Sequence, residues 1–366
     1  MTRLKLTNIN QLLLCGFLII GGLYFARSFL IPVTIASLLA MLLLPIARKL
    51  QALRVPRALS IILSIAIFIL VLMGITTLLS MQGFNLANNL EEIEHQFRIV
   101  LNDTQEYIQE KFGMEKAKQS KIIREKTESL LQSSTDLITG FLGGLATFGL
   151  ILVYTFFFLY YRNKFFNFIL MISPKNLHEQ NTVILNRISK VTQSYLTGVF
   201  IVVLILAVMN SSALLLLGVN NAIFFGCLAA ILNVIPYVGV IIGSLLPVIM
   251  TLVIKNELGP ALAVLGALYL NQIIENNLLT PFITGSQVRV NPLSTIMALI
   301  LGGLIWGVFG MILFIPLIGI IKIIFDHVED LKPLGYLIGD DSTEEQHSTA
   351  IQKLKKFYWK IKRKFK

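Results

Sequence analysis

Eight long apolar stretches dominate this chain and limit what it can fold into. A helix of roughly 20 apolar residues crosses the hydrocarbon core of a bilayer, which is about 30 Å thick. Inside lipid such stretches are helical, because every backbone group must find its hydrogen-bond partner within the segment. The sequence therefore predicts an all-α polytopic membrane protein with about eight transmembrane passages. The predicted passages are 9–26, 29–47, 59–80, 141–161, 197–218, 222–254, 259–279 and 294–325.

The composition agrees with a membrane protein and argues against several other classes. Apolar residues make up 55% of the 366 residues and charged residues 14%, whereas a soluble globular chain needs a more polar surface. Cys15 and Cys227 lie in apolar runs and are interpreted as small core residues, not as a disulfide or as metal ligands. The sequence has no metal-spaced cluster, G-x-x-x-x-G-K loop or nucleophile elbow. We therefore expect no enzyme activity, no metal and no cofactor.

Positive charge in the short loops predicts the orientation of the passages. The loop 48–57 carries four basic residues and no acid, and cytoplasmic loops collect such residues. Arg162 and Lys164, after the fourth passage, follow the same rule, so both termini are predicted in the cytoplasm. Arg3 and Lys5 precede the first passage and a second apolar run follows it at once, so we expect a signal anchor and not a cleaved signal peptide.

Polar segments divide the chain into five predicted parts. Residues 1–81 hold passages 1 to 3, and 82–139 are predicted to form an extracytoplasmic helical hairpin with solvated charges; a partner-binding domain is the alternative. Residues 140–196 hold passage 4 and a cytoplasmic linker helix at the interface, and 197–325 form the transport core. Within 326–366 the last 16 residues carry eight basic residues and no acid. This tail predicts a basic amphipathic helix on anionic lipid, not a nucleic-acid site.

The sixth passage, 222–254, is too long for one straight crossing. Its run of about 33 residues would form a helix of roughly 50 Å at 1.5 Å per residue. Two prolines remove backbone donors, two glycines relax the backbone, and two polar side chains lie next to the first proline. We expect a broken or re-entrant helix along a transport pathway, and a kinked, tilted helix is the alternative. The residues concerned are Asn233, Pro236, Tyr237, Gly239, Gly243 and Pro247.

The seventh passage contains a dense polar cluster in an apolar setting. Gln272, Glu275 and Asn276 are three or four residues apart and therefore share one helix face. Such a cluster indicates a pathway for a solute or an ion; the alternative is a position at the outer interface, where polar groups cost little. The candidate pathway residues are Asn233, Tyr237, Gln272, Glu275, Asn276 and Asn277, and Pro281 and Gly285 are further candidate hinges.

Glu275 is the acidic group on which the predicted chemistry depends. An ionised carboxylate buried in a protein costs several kcal/mol, so we expect Glu275 to be protonated, paired or hydrated. Arg289, in the following loop, is a candidate partner. We expect Lys255 and Glu257 to form a solvated pair in a cytoplasmic turn before this passage.

The eighth passage is rich in glycine and is long enough for two half-crossings. Small residues at four-residue spacing let helices approach closely in lipid. Helix packing is the first interpretation of this pattern, and a gating hinge is the second. The glycines are Gly302, Gly303, Gly307 and Gly310, and Pro316 follows them.

Several blocks of this sequence are similar to those of a known family. They are N-V-I-P-Y-V-G at 233–239, Q-x-x-E-x-N-x-L-x-P-x-I-x-G at 272–285, GGLIWGVFGMILFIP at 302–316 and PVTIASLLAMLLLP at 32–45. On these blocks the chain resembles the autoinducer-2 exporter-like (AI-2E) family of bacterial inner-membrane transporters. The resemblance implies eight helices with re-entrant elements and a homo-oligomer, specifically a pentamer. The family pattern falls on Asn233, Pro236, Tyr237, Gly239, Gln272, Glu275, Asn277, Pro281 and Gly285.

The resemblance implies a transporter and leaves the transported species open. For export of a small polar organic solute such as autoinducer-2, Gln272, Asn277 and Tyr237 would bind hydroxyl groups and Glu275 would couple export to protons. In a sodium or lithium/proton antiporter, Glu275 would exchange a proton for a cation. One carboxylate is a sparse site for competing ions, so the organic solute is favoured. A membrane scaffold without transport and an uncoupled channel are further alternatives.

Overall fold

The computed structural model describes residues 6–88, 144–283 and 290–340, together with Ile99, and almost all of these residues are helical. The prediction of an all-α polytopic membrane protein is confirmed. Of the predicted segments, most of the external insertion and of the basic tail lie outside the described residues, as do Gly285 and Arg289. The helices are α1 (Leu6–Phe25), α2 (Arg27–Ala52), α3 (Arg57–Asn88), α4 (Gly144–Tyr160), α5 (Arg162–Ile172), α6 (His178–Leu216), α7 (Ala222–Leu232), α8 (Val238–Lys255), α9 (Leu258–Ile274), α10 (Thr280–Ile283), α11 (Pro292–His327) and α12 (Lys332–Ile338).

The helices of the described ranges that are long enough to cross a membrane are close in number to the eight predicted passages. Within the described ranges six helices are long and apolar enough to cross a membrane, or seven if α4 and α5 count as one broken span. Large apolar side chains on the described helices are exposed: Phe25 is 86% exposed, Leu216 89% and Phe282 90%. Exposed apolar surface on this scale fits lipid or a partner protein and does not fit water.

Residues 222–254 form a helical hairpin. The helix α7 ends at Leu232, residues 233–237 turn the chain, and α8 starts at Val238. Gly239 packs against Leu232 and Gly243 against Ala229, which is the register of two antiparallel helices. The 11 residues of α7 extend about 16 Å, roughly half of the hydrocarbon core. The predicted break is therefore present, in its re-entrant form.

The far end of this hairpin corrects one prediction. Lys255 Nζ donates a hydrogen bond to the carbonyl oxygen of Leu217 at 3.2 Å, so α8 brings the chain back to the end of α6. The turn at Lys255 and Glu257 therefore lies at the same end as residues 217–221. We expected these two turns on opposite sides of the membrane, and that expectation is wrong because 222–254 doubles back instead of crossing.

The glycine-rich segment α11 also doubles back. Gly307 has φ 62° and ψ −142°, which interrupts the helix. Gly302 and Gly310 pack backbone to backbone, although eight residues of continuous helix would separate them by about 12 Å. Trp306 and Phe314 cross this turn with ring centroids 5.4 Å apart. The run therefore consists of two antiparallel arms, which are the two half-crossings that its length allows.

The described residues belong to two compact units. One unit contains α1, α5, the start of α6, α11 and α12. The other, within Pro32–Arg162 and Gly198–Ile283, contains most of α2, then α3, α4, the end of α6 and α7 to α10. In this second unit α2, α3 and α4 share a core that includes Ala36, Leu43, Ile61, Ile151 and Leu159. The candidate site lies in the same unit, among α6, the α7–α8 hairpin and α9.

Candidate functional site

A small polar cavity lies between α6, the α7–α8 hairpin and α9. Four of its eight lining side chains are polar, and the other four are Leu206, Ala229, Val240 and Leu268. The empty volume is about 260 Å³ when its open mouth is included. The part wide enough for a water molecule is only about 10 Å³, which is room for about one molecule. The polar lining residues are Asn210, Asn233, Ser244 and Gln272.

Helix positions place the cavity near half depth. The ends of α6 and α8 meet at Leu217 and Lys255, so distances along the neighbouring helices share one origin. At 1.5 Å per residue, Asn210 lies about 9 Å from the end of α6, Asn233 about 16 Å from the start of α7, and Gln272 about 21 Å from the start of α9. In a bilayer core of about 30 Å these three amides would lie about 9 to 21 Å from that end, within the hydrocarbon region.

A pair of carboxamides joins α6 to α9 beside the cavity. Asn271 Nδ2 donates to Asn210 Oδ1 at 3.0 Å, and Asn210 is buried. Next to it Ser211 is also buried, and Gly226 of α7 packs directly on its backbone. Hydrogen bonds of this kind hold membrane helices together where apolar packing alone gives no orientation.

Glu275 is buried one turn beyond the cavity, with 7% of its surface exposed. Its carboxylate accepts hydrogen bonds from Gln272 Nε2 and, at 2.6 Å, from Thr280 Oγ1. Gln272 Nε2 also donates to Asn276 Oδ1 at 3.2 Å. Both donors to Glu275 are neutral, and no basic side chain of the described ranges forms an ion pair with it. The predicted pairing with Arg289 lies outside those ranges and stays a prediction.

A π-helical turn explains why Thr280 reaches Glu275. Residues Glu275–Leu279 form one π turn, in which the backbone N–H of Thr280 bonds to the carbonyl oxygen of Glu275. In a regular α-helix two residues five positions apart point about 140° away from each other. The wider turn brings them onto one face, and π turns of this kind occur frequently at functional sites.

The structure brings four of the six predicted pathway residues together. Asn233 and Gln272 line the cavity, and Glu275 and Asn276 bond to Gln272. Asn277 is exposed and donates to the carbonyl oxygen of Ile273 in its own helix at 2.9 Å.

Tyr237 is the sixth predicted pathway residue, and it lies at the turn of the hairpin. Its side chain is 57% exposed and does not line the cavity. Its backbone has φ 63° and ψ −56°, a conformation that costs a residue with a side chain of the order of 1–3 kcal/mol. Strain of this kind is retained where the surrounding structure imposes it, so the hairpin turn stores energy beside the cavity.

The predicted hinges have different roles in the structure. Pro236 lies in the hairpin turn, whereas Gly239 and Gly243 are the sites of close approach between α7 and α8. Pro247 is buried inside α8 and its carbonyl oxygen accepts a hydrogen bond from Thr251 Oγ1 at 2.7 Å. Pro281 follows the π turn directly, in α10.

Sequence reasoning missed four polar residues of this region. Each had a weak signal: Asn210 interrupts the apolar run of the fifth predicted passage, Ser244 follows a hinge glycine, and Asn271 precedes Gln272. Thr280 is separated from Glu275 by five residues, a spacing that α-helical periodicity places on another face. In the described part of the chain no three His, Cys, Asp or Glu side chains form a group that could hold a metal ion.

Comparison with known proteins gives the family. Residues 13–330 match the sequence profile of the AI-2E family transporters. YueF of Bacillus subtilis (strain 168), provisionally named a transport protein, is 26% identical over 329 residues, which are 85% of this chain and 87% of YueF. The AI-2 transport protein TqsA of Escherichia coli (strain K12) is 24% identical over 347 residues, 93% of this chain and 98% of TqsA. The chain therefore belongs to the AI-2E family of transporters and is a multi-pass membrane protein with a role in transport.

Proposed function

We propose that this chain exports a small polar organic solute, of the chemical class of autoinducer-2, across the bacterial inner membrane. The supporting observation is the convergence of three carboxamides and a hydroxyl in one cavity, at Asn210, Asn233, Gln272 and Ser244. A carboxamide both donates and accepts hydrogen bonds, so three of them suit the neighbouring hydroxyl groups of a polyol. The name of TqsA gives AI-2 as the transported molecule of a relative that aligns with 93% of this chain.

The cavity corresponds to a closed form of the pathway. Its water-sized space of about 10 Å³ is too small for a solute with several non-hydrogen atoms. Asn233 belongs to the tip of the hairpin, whereas Gln272 belongs to α9, so withdrawal of the tip from α9 would enlarge the cavity. The strained backbone of Tyr237 lies in this tip, and release of that strain would offset part of the cost of opening.

Glu275 supplies a route for coupling export to protons. An ionised buried carboxylate with only neutral donors costs several kcal/mol, and uptake of a proton removes that cost. Gln272 donates to Glu275 and lines the cavity with the same side chain. When Glu275 takes up a proton it becomes a weaker acceptor, which frees the Gln272 amide for the solute. The proton and the solute are therefore linked through one side chain.

The membrane orientation is part of the proposal. The helices α1, α2, α3, α4, α6 and α9 would make six crossings. The helices α8 and α11 are also long and apolar enough to cross, but they belong to hairpins, and each hairpin would return to the side from which it enters. Six is an even number, so both termini would lie on one side, which the basic loop 48–57 indicates is the cytoplasm. A homo-oligomer, specifically a pentamer, is the assembly that the family resemblance implies.

The test uses full-length protein in liposomes loaded with autoinducer-2 and an internal pH-sensitive dye. We expect solute efflux that rises with an imposed proton gradient. Glu275→Gln should remove this dependence on the gradient, whereas Glu257→Gln, a charge-matched change in an exposed turn, should leave it unchanged. Asn233→Ala should lower the rate about tenfold, the effect of losing roughly one well-placed hydrogen bond, and Asn186→Ala on an exposed face of α6 is its control.

The other functions predict different results in the same liposomes. An antiporter would show proton flux on addition of sodium or lithium without any solute, and Glu275→Gln would abolish that flux. An uncoupled channel would pass the solute at a rate independent of the proton gradient. A scaffold would show neither flux in a monodisperse preparation, and that result would reject the proposed transport.

A further inference from the structure

Three arginines meet where α2, α3 and α4 end. Arg48 and Gln51 belong to the last turns of α2, Arg57 opens α3, and Arg162 follows α4. Arg162 Nη2 donates to Gln51 Oε1 at 3.0 Å, and Arg57 Nη2 lies 3.4 Å from the carbonyl oxygen of Leu159. The charges of Arg57 and Arg48 are close enough to repel that of Arg162. We call these four residues the arginine cluster.

The arginine cluster has no counter-charge in the described part of the chain. No carboxylate there forms an ion pair with any of its three guanidinium groups. Three buried nitrogens in the cluster also have no hydrogen-bond acceptor: Gln51 Nε2, Arg57 Nε and Arg162 Nη1. Buried donors are nearly always paired in folded proteins, and an unpaired one is costly, more so when it is charged. Repulsion and unpaired donors together point to an acidic ligand from outside the described residues.

The chemistry of the cluster fits a phosphate group. A guanidinium presents N–H donors in a planar fork that pairs with two oxygens of a phosphate at once. Arg57 Cζ lies over the ring of Tyr160, 5.4 Å from its centroid, and this cation–π contact helps to hold the guanidinium in place. The unpaired nitrogens of Arg57, Arg162 and Gln51 would provide three of the hydrogen bonds that a phosphate accepts.

The position of the cluster fits a lipid headgroup. It lies at the ends of membrane-length helices, and tyrosines such as Tyr160 are typical of the membrane interface. Apolar side chains at its edge are exposed, namely Leu53 at 74%, Leu59 at 48% and Ile62 at 52%, and they could contact acyl chains. Basic pockets between helices on the cytoplasmic side of membrane proteins bind anionic headgroups. We propose that the arginine cluster binds the phosphate of an anionic phospholipid of the cytoplasmic leaflet.

The experiment measures lipid binding to the purified full-length protein in a neutral detergent. Native mass spectrometry follows the titration of phosphatidylglycerol, phosphatidylcholine and inorganic phosphate. We expect phosphatidylglycerol to bind best and to raise the melting temperature. Arg57→Gln and Arg162→Gln should each weaken its binding at least about tenfold, the effect of one charge-assisted hydrogen bond. Arg187→Gln removes an exposed charge of α6 outside the cluster and should leave the affinity unchanged.

Two further variants keep the test valid if Arg57→Gln and Arg162→Gln fold poorly. Arg48 is exposed, so Arg48→Gln should fold and weaken binding several-fold by removing charge alone. Arg162→Lys keeps the charge and loses the fork, so it should weaken binding less than Arg162→Gln. Wild-type affinity in all cluster variants would overturn the proposal. Displacement of the lipid from the wild-type protein by inorganic phosphate would overturn the assignment to a lipid.

Discussion

Adding one methyl group to Gly239 should separate the two arms of the α7–α8 hairpin. A Cβ at this position would overlap the carbonyl group of Leu232 and lie 2.9 Å from the backbone nitrogen of Asn233. Ordinary contact begins at 3.4 Å, and the added Cβ would be too close to the carbonyl oxygen of Leu232 by about 1.8 Å. The two backbones would have to separate by about that distance. Both groups in conflict are backbone atoms, so a rotamer change cannot relieve the overlap.

Two other glycines provide a graded comparison. A Cβ on Gly243 would lie 2.8 Å from the Cα of Ala229, which requires a shift of about 0.6 Å, a third of that at Gly239. A Cβ on Gly266 of α9 would have no atom within 4 Å. Overpacking typically costs about 1–3 kcal/mol, so we expect Gly243→Ala within this range and Gly239→Ala above it. Gly266→Ala should be neutral or stabilising by up to about 1 kcal/mol, because alanine favours the helix.

The assay is thermal unfolding in detergent, followed by tyrosine and tryptophan fluorescence, together with solute efflux from liposomes. The melting temperature should fall in the order Gly266→Ala, wild type, Gly243→Ala, Gly239→Ala. Efflux should fall in Gly239→Ala even below its melting temperature, because the added methyl group displaces Asn233 from the cavity. Equal melting temperatures for Gly239→Ala and Gly266→Ala would refute the close antiparallel packing on which this reasoning depends.

Three further substitutions test other contacts. Gly307→Ala should destabilise the protein by about 1–3 kcal/mol through backbone strain alone, because its φ is 62° and a Cβ there meets no atom within 4 Å; an unchanged melting temperature would contradict the reversal at this residue. Trp306→Phe should cost about 1 kcal/mol, because it removes the 2.9 Å hydrogen bond from Nε1 to the carbonyl oxygen of Leu23. A fall in melting temperature no larger than that caused by a substitution at an exposed aromatic residue would argue against this bond. Asn210→Leu and Asn271→Leu should be non-additive, with a coupling of about 0.6 kcal/mol in a double-mutant cycle; a coupling of zero would show that their hydrogen bond contributes nothing.

The helical fold could be predicted because long apolar runs leave the backbone few alternatives in lipid. The break at 233–237 could also be predicted, since Pro236 and the nearby polar residues disfavour a continuous helix. The reversal of direction could not. Hydropathy is the same for a helix that crosses and for two arms that return, and glycines such as Gly239 permit close approach in either case.

The candidate site could be predicted from the sequence only in part. Gln272, Glu275 and Asn276 share a face at α-helical spacing, and the structure joins them by hydrogen bonds. Asn277 was grouped with them because of its proximity in sequence and the family resemblance, and the structure turns its side chain onto its own helix. Asn210 belongs to another helix, and one sequence alone does not show which polar residues of separate passages contact each other.

The π turn at Glu275–Leu279 makes the length of the chain at this point as important as its composition. A π turn contains one residue more than the α turn that it replaces. If the same residues closed into an uninterrupted α-helix instead, everything after them would rotate by about 100° relative to α9. The hydroxyl of Thr280 would then leave the carboxylate of Glu275, and Leu279, which packs against Val202, Leu206 and Ala230, would turn away from its neighbours. Deletion of one residue between Glu275 and Thr280 would leave them four positions apart, a spacing that keeps both on one face of an α-helix. A scan of single-residue deletions should therefore find this short stretch more tolerant than the adjoining turns of α9.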